Sequence, residues 1–418
     1  MQKRLADDYV LVTRSSDPEN IYCFSPGILV CPSGRLIASM DYSGPGMEHY
    51  PGVCHFNVKS DRWQSGRVFI SDDHGQTWVE KAEISMLIMR PFIAGNSLYL
   101  IGSSPDLGVA RSDDWGETWT EVSHFSKDEI WHQGASNVWY KGDYVYLVFE
   151  HETDLSHSWP MDGIAPVLMR GNINDDLTKR KNWTFASELV FNREVDEDQI
   201  PEFGIPFRPN GPRVGWLETQ VVQLLKEDDV FYDPTGHTFH LFMRTSTGRP
   251  WVGAILKVVE KEDGTMETMF ETAPSGKRMI FTHIPGGGES KFHIIYDEKT
   301  KTYWLLTNQF MNSMLDLNKL TSRQAHGYDR SRLVLYYSYN CFDWLFAGVV
   351  STGKTLLESR SYASMAIEED DLLVLSRSGD EHAKNGHDNN MITFHRIKDF
   401  RSLIDVYVDG RLVENEMK

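Results

Sequence analysis

The feature that most constrains the fold is an eight-residue motif that occurs twice in the first third of the chain. The octad SDDHGQTW at 71–78 recurs as SDDWGETW at 112–119. Each copy follows a short apolar run and leads into another, which is typical of a hairpin turn between two strands. In such a turn the Asp carboxylate accepts backbone N–H groups, the Gly adopts a positive φ and the Trp packs beneath the loop. A motif repeated in this way predicts a chain built from similar sheet units.

The amino-acid composition favours an all-β protein. Aromatic residues make up 12% of the 418 residues, with 12 Trp and 17 Tyr, and there are 32 Gly. Aromatic side chains favour strands and glycines favour turns, so this balance fits many short strands better than helices. Weaker copies of the octad occur at 174–177, followed by Trp183, and at 338–344. The expected fold class is therefore all-β.

The octads resemble the Asp-box, or BNR repeat, of the sialidase-like propellers, where it joins the third and fourth strands of a blade. The resemblance implies a six-bladed β-propeller with Asp-box turns. Strand runs and turns divide the chain into six comparable units, at roughly 15–83, 84–124, 125–190, 191–275, 276–350 and 351–403. Strands near 8–14 and 404–413 are expected to pair and close the ring, because an open ring would expose strand edges. We interpret residues 1–418 as one propeller domain.

The formal charge of -18 limits the classes of partner. It would repel a polyphosphate backbone or an anionic membrane surface, and the Lys and Arg residues are scattered along the chain rather than clustered. Nucleic acid and membranes are therefore not expected as partners. An acidic substrate is still compatible with this charge if a few cations converge inside a pocket.

The four cysteines have neither metal-ligand spacing nor the density of a disulfide scaffold, so they are expected to be buried free thiols. No metal or other cofactor is expected. The start of the sequence lacks the apolar stretch of a secretory signal, and no window is apolar enough to span a bilayer. The expected location is cytoplasmic, or periplasmic or secreted if a signal has been trimmed away; the oligomeric state is left open.

The first strand of each propeller blade lines the central channel, so polar residues on those strands are candidate pocket residues. A random set of buried strands would not carry so many ionisable groups, because unpaired charges in a low-dielectric core are costly. We therefore expect one solvated axial pocket. A polar loop with His382, His387 and Asp388 can also reach the axis. The six inner strands contribute Ser25, Arg90, His132, Glu218, Lys291 and Tyr362, with Arg360 just before the last.

Three segments resemble parts of the sialidase active site. The run WLETQVVQLL followed by HLFMRTSTG is similar to the segment that holds a Glu and a carboxylate-binding Arg, which correspond to Glu218 and Arg244. The run SYASM is similar to the segment of the tyrosine nucleophile, which corresponds to Tyr362. The resemblance implies that the Glu deprotonates the Tyr and that the phenolate attacks the anomeric carbon, because a carboxylate nucleophile would be repelled by a sugar acid.

Two positions depart from the sialidase pattern. The first blade opens with FSPG at 24–27, where sialidases have Phe-Arg-Ile-Pro, so the first arginine of their triad is missing. Lys291 stands where the third arginine is expected, and a lysine does not replace a bidentate guanidinium. Hydrolysis of sialic acid itself is therefore doubtful. The loop after the first inner strand offers four candidates for the acid/base, with the first and third ranked highest: Asp41, Glu48, His49 and His55.

A second hypothesis follows from the histidines of the third unit. His132 and His151, taken with Tyr232 and Arg244, look somewhat like the His, His, Tyr and Arg set of propeller polysaccharide lyases. In β-elimination an Arg neutralises the uronate while a His or Tyr abstracts the proton on C5. A third hypothesis is a propeller that binds carbohydrate without catalysis, because this fold also serves as a binding module.

The sequence favours a glycosidase that removes a terminal, acidic sugar from a glycan. Glu218 and Tyr362 are then the nucleophilic pair, and His132 or Asp41 is the proton donor. The expected substrate-binding residues are Arg90, Arg244, Lys291, Arg360, His49, His151 and Tyr232.

Overall fold

A computed structural model describes residues 4–57, 62–132, 134, 136–154, 161–200, 214–247, 250–311 and 330–404. Six antiparallel sheets are arranged as the blades of a β-propeller. First strands contact one another around the axis between blades 1 and 2, 4 and 5, 5 and 6, and 6 and 1. The prediction of an all-β, six-bladed propeller is confirmed.

The first half of the chain forms three blades, preceded by β1 (Val10–Arg14). Blade 1 contains β2 (Tyr22–Val30), β3 (Leu36–Ser43), β4 (His55–Asn57), β5 (Arg62–Ser71) and β6 (Val79–Ile84). Blade 2 contains β7 (Leu87–Ala94), β8 (Ser97–Ser103), β9 (Leu107–Ser112) and β10 (Ser123–His124). Blade 3 contains β11 (Trp131–His132), β12 (Trp139–Lys141), β13 (Tyr144–Glu152), β14 (Ile164–Asn172) and β15 (Trp183–Phe185).

The second half forms the other three blades. Blade 4 contains β16 (Leu217–Val222), β17 (Thr238–Arg244), β18 (Val252–Glu260) and β19 (Met266–Met269); β20 (Glu271–Thr272) and β21 (Arg278–Met279) form a small hairpin, and β22 (Phe281–His283) pairs with β18. Blade 5 contains β23 (His293–Asp297), β24 (Thr302–Asn308), β25 (Arg332–Ser338) and β26 (Leu345–Thr352). Blade 6 contains β27 (Arg360–Glu368), β28 (Asp371–Ser378), β29 (Met391–Ile397) and β1. The unit boundary expected at 276 differs, because β22 belongs to blade 4.

Helices are few and short. The helical elements are α1 (Phe191–Glu194) and the 3-10 helices Pro45–His49, Met161–Gly163, Arg180–Asn182, Glu197–Gln199 and Phe400–Leu403. Within the described ranges, none is long and apolar enough to cross a membrane.

The core lies between blades. Separate clusters of buried apolar side chains fill the interfaces between blades 1 and 2, 2 and 3, 5 and 6, and 6 and 1, and the largest cluster joins blades 3, 4 and 5. Because each blade packs between two neighbours, its second strand is buried on both faces, as β8 and β24 show along their whole lengths. All four cysteines are free thiols; Cys54 is partly buried and the other three are buried.

The ring closes in blade 6, where the beginning of the chain meets its end. β1 pairs antiparallel with β29, with Val10 opposite Phe394. The strand expected at 8–14 therefore forms, and its observed partner is Met391–Ile397. The run 404–413, expected as that partner, lies outside the described residues except for Ile404.

Both octads form the same turn between the third and fourth strands of their blades. In the first, Gly75 N–H donates to Ser71 Oγ (2.8 Å), and Asp73 accepts from Thr77 N–H (2.8 Å) and Thr77 Oγ1 (2.6 Å). The second repeats this pattern around Asp114 at 2.8, 2.9 and 2.5 Å. The glycines have φ values of 88° and 96°, which favour glycine. The copy at 338–344 is similar: the first serine's Oγ accepts Cys341 N–H at 2.9 Å.

Candidate active site

The strand directions place Glu218, Arg244 and Tyr362 at one end of the ring. We call this end, where first strands begin and second strands finish, the top face; the octad turns lie at the bottom face. Four first strands carry a β-bulge near the top face, each with one non-glycine residue in the left-handed conformation. Such residues are uncommon and strained, so four at equivalent positions are a built feature of this fold. The four residues are Ser25 (φ 49°), Ile88 (φ 49°), Glu218 (φ 58°) and Tyr362 (φ 50°).

The bulges of blades 4 and 6 bring Glu218 and Tyr362 to a shared arginine. Nη1 of Arg244 lies 3.2 and 3.1 Å from the two carboxylate oxygens of Glu218. The same nitrogen donates to the phenolic oxygen of Tyr362 at 3.0 Å. Residues far apart in the sequence therefore form one hydrogen-bonded group, and the sequence reasoning named all three.

The charge of this group is balanced within it. Burial would raise the pKa of Glu218, but the charge of Arg244 and the hydrogen bond from Tyr362 outweigh it and keep that pKa below its usual value. Burial would lower the pKa of Arg244, but the charges of Glu218 and Tyr362 raise it. Glu218 is therefore an ionised carboxylate at neutral pH. The arginine bound to it, Arg244, also binds the phenol of Tyr362.

Two further arginines pack against the tyrosine ring, and the sequence reasoning missed both. The guanidinium carbon of Arg377 lies 4.0 Å from the ring centre of Tyr362 and 4.7 Å from that of Phe24. The guanidinium carbon of Arg330 lies 5.1 Å from the ring centre of Tyr362. Arg377 is 2% exposed, and its Nε and Nη2 have no hydrogen-bond partner among the described residues. Burial lowers its pKa to about 10, so it remains a cation at neutral pH.

A positional signal could have found Arg377. Arg244 pairs with Leu217, the residue before the bulge of blade 4, and Arg377 pairs with Ser361, before the bulge of blade 6. Both arginines thus end the second strands of their blades at equivalent positions. No comparable signal marks Arg330, which precedes β25.

Lys291 lies beneath the tyrosine bulge and is 2% exposed. Its Nζ donates to the backbone oxygens of Ala363 (3.0 Å) and Tyr362 (3.4 Å) and to Ser364 Oγ (3.4 Å). A Cβ on Gly134 would lie 3.3 Å from the lysine side chain and 3.4 Å from that of Glu218, so these two side chains are close.

His132 lies beside Glu218 and is oriented by a second carboxylate. Its Nδ1 is 3.4 Å from Glu150 Oε2, and the imidazole is one of the groups that lower the pKa of Glu218. The other oxygen of Glu150 accepts the N–H and the hydroxyl of Thr219, both at 2.8 Å, and so supports the bulge at Glu218. The His132 side chain is 24% exposed, which leaves it accessible to solvent.

Asp41 occupies in blade 1 the position that Glu150 occupies in blade 3. Both its oxygens accept Ile88 N–H, at 3.0 and 2.9 Å, and it also bonds to Ser25. The residue is 3% exposed, and burial raises its pKa to about 8. Its observed contacts support the bulge of blade 2.

Other sequence-predicted residues lie away from this group. His151 is next to Glu150 in β13, so its side chain points to the opposite face of the sheet, where it stacks on Trp131 at 4.8 Å and bonds to Glu188 at 2.6 Å. Arg90 is buried between blades 2 and 3 and donates to Val148 O at 3.1 Å.

Three more predicted site residues are not brought to Glu218 and Tyr362. Arg360 donates to the backbone oxygens of Ser359 and Gly379 and lies over the ring of Tyr9 at 5.3 Å. His49 ends an exposed 3-10 helix. Tyr232 lines a pocket of about 150 Å³ in the loop between β16 and β17, which is at the bottom face. The prediction that groups Tyr232 with Arg244 is corrected, because a full strand length separates the two ends of blade 4.

The polar loop of blade 6 reaches the site. His387 lies 5.6 Å from the ring of Phe24, centre to centre, and its Nδ1 is 2.8 Å from Asp388 Oδ1. Burial and the charge of Arg377 lower the pKa of His387, so it is neutral near pH 7. It adds a polar, uncharged wall beside that arginine.

Comparisons with solved structures agree with the fold. A Hadza microbial sialidase is similar over 93% of this chain and 68% of its own, with 14% identity and a TM-score of 0.56. An intramolecular trans-sialidase from Ruminococcus gnavus, in complex with oseltamivir carboxylate, is similar over 94% of this chain and 98% of its own, with 12% identity and a TM-score of 0.52. An α-L-arabinanase from Penicillium chrysogenum, complexed with arabinobiose, covers 96% and 99%, with 12% identity and a TM-score of 0.50.

No protein-family model and no curated protein sequence matches the chain. At these identities the structural likeness establishes the fold, a six-bladed propeller of the kind found in sialidases and arabinanases, and leaves function to the site.

Proposed function

We propose that this protein is a glycosidase that hydrolyses the bond to a terminal, acidic sugar of a glycan. The observation that carries the proposal is the single Arg244 nitrogen bonded to both the Glu218 carboxylate and the Tyr362 hydroxyl. A tyrosine with an ionised carboxylate beside it has the parts of an activated nucleophile and its base. Similar folds that include a sialidase and a trans-sialidase support the same class of reaction.

The arginines support an acidic sugar as substrate. Arg244, Arg330 and Arg377 surround the phenol, and two buried nitrogens of Arg377, Nε and Nη2, have no partner among the described residues. A buried guanidinium is costly unless an anion pairs with it, and a carboxylate fits its planar donors. Arg377 of blade 6 thus supplies the positive charge of the arginine that is missing from blade 1. Lys291 is then not needed to bind the carboxylate of the sugar.

The proposed reaction has two displacements. Glu218 accepts the phenolic proton as the oxygen of Tyr362 attacks the anomeric carbon, and the bond from that carbon to the leaving oxygen breaks. His132 gives its proton to the leaving oxygen. Water then attacks the same carbon and gives one proton to His132, which restores the proton donor; the bond to the tyrosine breaks, and the phenolate recovers its proton from Glu218.

Mass spectrometry of products tests the proposal. The protein is incubated with sialylated and uronate-containing oligosaccharides, and hydrolysis is expected to give products that together have gained one water. An unsaturated uronate would establish a lyase instead, although the histidine, tyrosine and arginine set of that hypothesis is dispersed over both faces. Binding of an acidic sugar without turnover would indicate a carbohydrate-binding protein.

A matched pair of tyrosine variants tests the nucleophile. Tyr362→Phe should lower kcat at least about 10³-fold, because the variant has no oxygen to form the intermediate. Tyr232→Phe, at the bottom face, should retain wild-type kcat. Full activity of Tyr362→Phe would remove that residue from the mechanism.

A further inference from the structure

The lysine beneath the nucleophile is saturated by backbone and hydroxyl oxygens. A lysine ammonium has three N–H groups. In Lys291 they face three acceptors on consecutive residues: the oxygens of Tyr362 (3.4 Å) and Ala363 (3.0 Å), and Ser364 Oγ (3.4 Å). No N–H remains for a substrate, so the residue does not act as the sugar-acid ligand that its sequence position indicates.

The acceptors belong to the bulge that shapes the active site. The pairing of β27 with β28 shifts register between Ser361 and Ser364, and Tyr362 has a left-handed φ of 50°. A bulge interrupts the ladder, so its carbonyl groups need other donors. The lysine supplies them from blade 5, and Ser364 Oγ donates onward to Pro26 O of blade 1 at 2.7 Å.

We propose that Lys291 is a positioning residue, whose ammonium holds the bulge of blade 6 so that the phenol of Tyr362 stays at Arg244 and Glu218. The kinetic part rests on the proposed glycosidase function; the structural part does not. The phenolic oxygen is 3.0 Å from Arg244 Nη1 in the described arrangement. Without the ammonium the bulge carbonyls lose their donors, and the backbone is free to return to regular pairing.

The environment makes this contact sensitive to pH. Charged and titratable groups act on Lys291 from three other blades, namely Glu218 of blade 4, Arg90 of blade 2 and Arg377 of blade 6, and His293 lies two residues further along the chain. Burial lowers the pKa of Lys291 to about 7; Arg90 and Arg377 lower it and Glu218 raises it. As pH rises through this value, the ammonium becomes an amine with two N–H groups for three acceptors, so kcat should fall on the alkaline side.

Three variants test the proposal. Lys291→Met removes the donors but keeps the chain length, Lys291→Arg keeps the charge, and Lys141→Met is the control. The Lys141 side chain is 33% exposed and also donates to a backbone oxygen, that of Gly236, but at the bottom face. We measure kcat, KM, the pH profile, the dissociation constant of a monomeric sugar acid, and the crystal structure of each variant.

The expected results separate positioning from substrate binding. Lys291→Met should lower kcat about 100-fold, because displacing a reacting group by about 1 Å costs that much. Its KM and sugar-acid affinity should change less than about threefold, and Tyr362 should leave its left-handed conformation. Lys291→Arg should keep more of the wild-type kcat than Lys291→Met does. It should also shift the alkaline limb of the pH profile of kcat to higher pH by at least about one unit. Lys141→Met should match the wild type.

Several outcomes would overturn the proposal. They are an unchanged Tyr362 in the crystal structure of Lys291→Met, wild-type kcat in that variant, or a loss confined to KM, which would make the lysine a substrate ligand. If Lys291→Met does not fold, an unmoved alkaline limb in Lys291→Arg counts against it. If the wild-type protein hydrolyses no glycan, the proposed function fails, and the structures alone decide on Lys291.

Discussion

At the scale of single residues, exposure separates the two candidate proton donors. His132 is 24% exposed beside Glu218, whereas Asp41 is 3% exposed and bonded to backbone. His132→Gln should therefore lower kcat on natural glycans by about 10² to 10⁴. On an aryl glycoside with an acidic phenol as leaving group the loss should be under about tenfold, because that group leaves without a proton. Equal losses on both substrates, measured by steady-state kinetics, would assign the donor elsewhere.

The buried carboxyl of Asp41 should affect the free energy of unfolding rather than kcat. Burial raises its pKa to about 8, above the unfolded value, so its contribution is fully present near pH 4 and is lost as pH rises through 8. Asp41→Asn cannot titrate. The variant should therefore gain on the wild type with rising pH, by roughly 2–4 kcal/mol of unfolding free energy at pH 8. Urea denaturation from pH 4 to 8 gives this difference, and a constant difference would contradict it.

Single residues also show how far the sequence can predict this site. Glu218, Arg244 and Tyr362 could be predicted because each lies in a local run with a recognisable pattern. Arg377 carries only a positional signal near the end of the second strand of blade 6, and its packing against Phe24, which is distant in the sequence, is visible only in the fold. Lys291 was assigned to the substrate from its residue type and its position on the fifth inner strand, since sequence does not show which acceptors surround an ammonium.

At the scale of elements, second strands hold the bulges of neighbouring first strands. Asp41 on β3 accepts Ile88 N–H of blade 2, and Glu150 on β13 accepts Thr219 N–H of blade 4. In blade 5, Asn308 Nδ2 at the end of β24 donates to Arg360 O at 2.7 Å, at the start of blade 6. The bulges of blades 2, 4 and 6 are thus supported from the blade before them, which helps strained backbone to persist at the top face.

The two octad turns allow a matched test of how turn conformation and packing at the blade interface each contribute to stability. Gly75 and Gly116 share the octad position and a positive φ, so alanine at either is strained by roughly 1–2 kcal/mol. A Cβ at Gly75 would also overlap the ring of Phe394 on blade 6, whereas at Gly116 the nearest atom is Ile37 Cδ1 at 3.1 Å.

Gly75→Ala should therefore destabilise the protein by roughly 1–3 kcal/mol more than Gly116→Ala. Both variants should keep wild-type kcat, because the turns lie at the bottom face. Thermal and urea unfolding measure the difference. Equal losses would show that the turn conformation alone sets the cost.

At the scale of the whole molecule, local and overall charge have opposite signs at the site. The chain has a formal charge of -18, yet three arginines surround Tyr362. At physiological ionic strength the Debye length is about 8 Å, so distant surface carboxylates are screened and the buried guanidinium groups set the sign of the field in the pocket. A long polyanion would extend beyond this range and meet the acidic surface. The balance favours a single acidic residue at the end of a glycan.

Closure of the ring connects the beginning of the chain to the blade that carries the proposed nucleophile. β1 completes blade 6 by pairing with β29, and its Val12 is buried in the cluster between blades 6 and 1. The adjacent Leu11 points outward and is 42% exposed. Because blade 6 also carries Tyr362 and Arg377, opening of this seam should loosen the site.

Val12→Asp should lower the unfolding free energy by roughly 3–5 kcal/mol, since it buries an unpaired charge, while Leu11→Asp should change it by less than about 0.5 kcal/mol. Activity and circular dichroism are followed together against urea. If the ring unfolds as one unit, both signals of Val12→Asp shift to the same lower midpoint. If Val12→Asp and Leu11→Asp behave alike, β1 is a peripheral strand. If activity is lost at a lower urea concentration than the circular dichroism signal, blade 6 opens on its own and the remaining blades hold their structure without it.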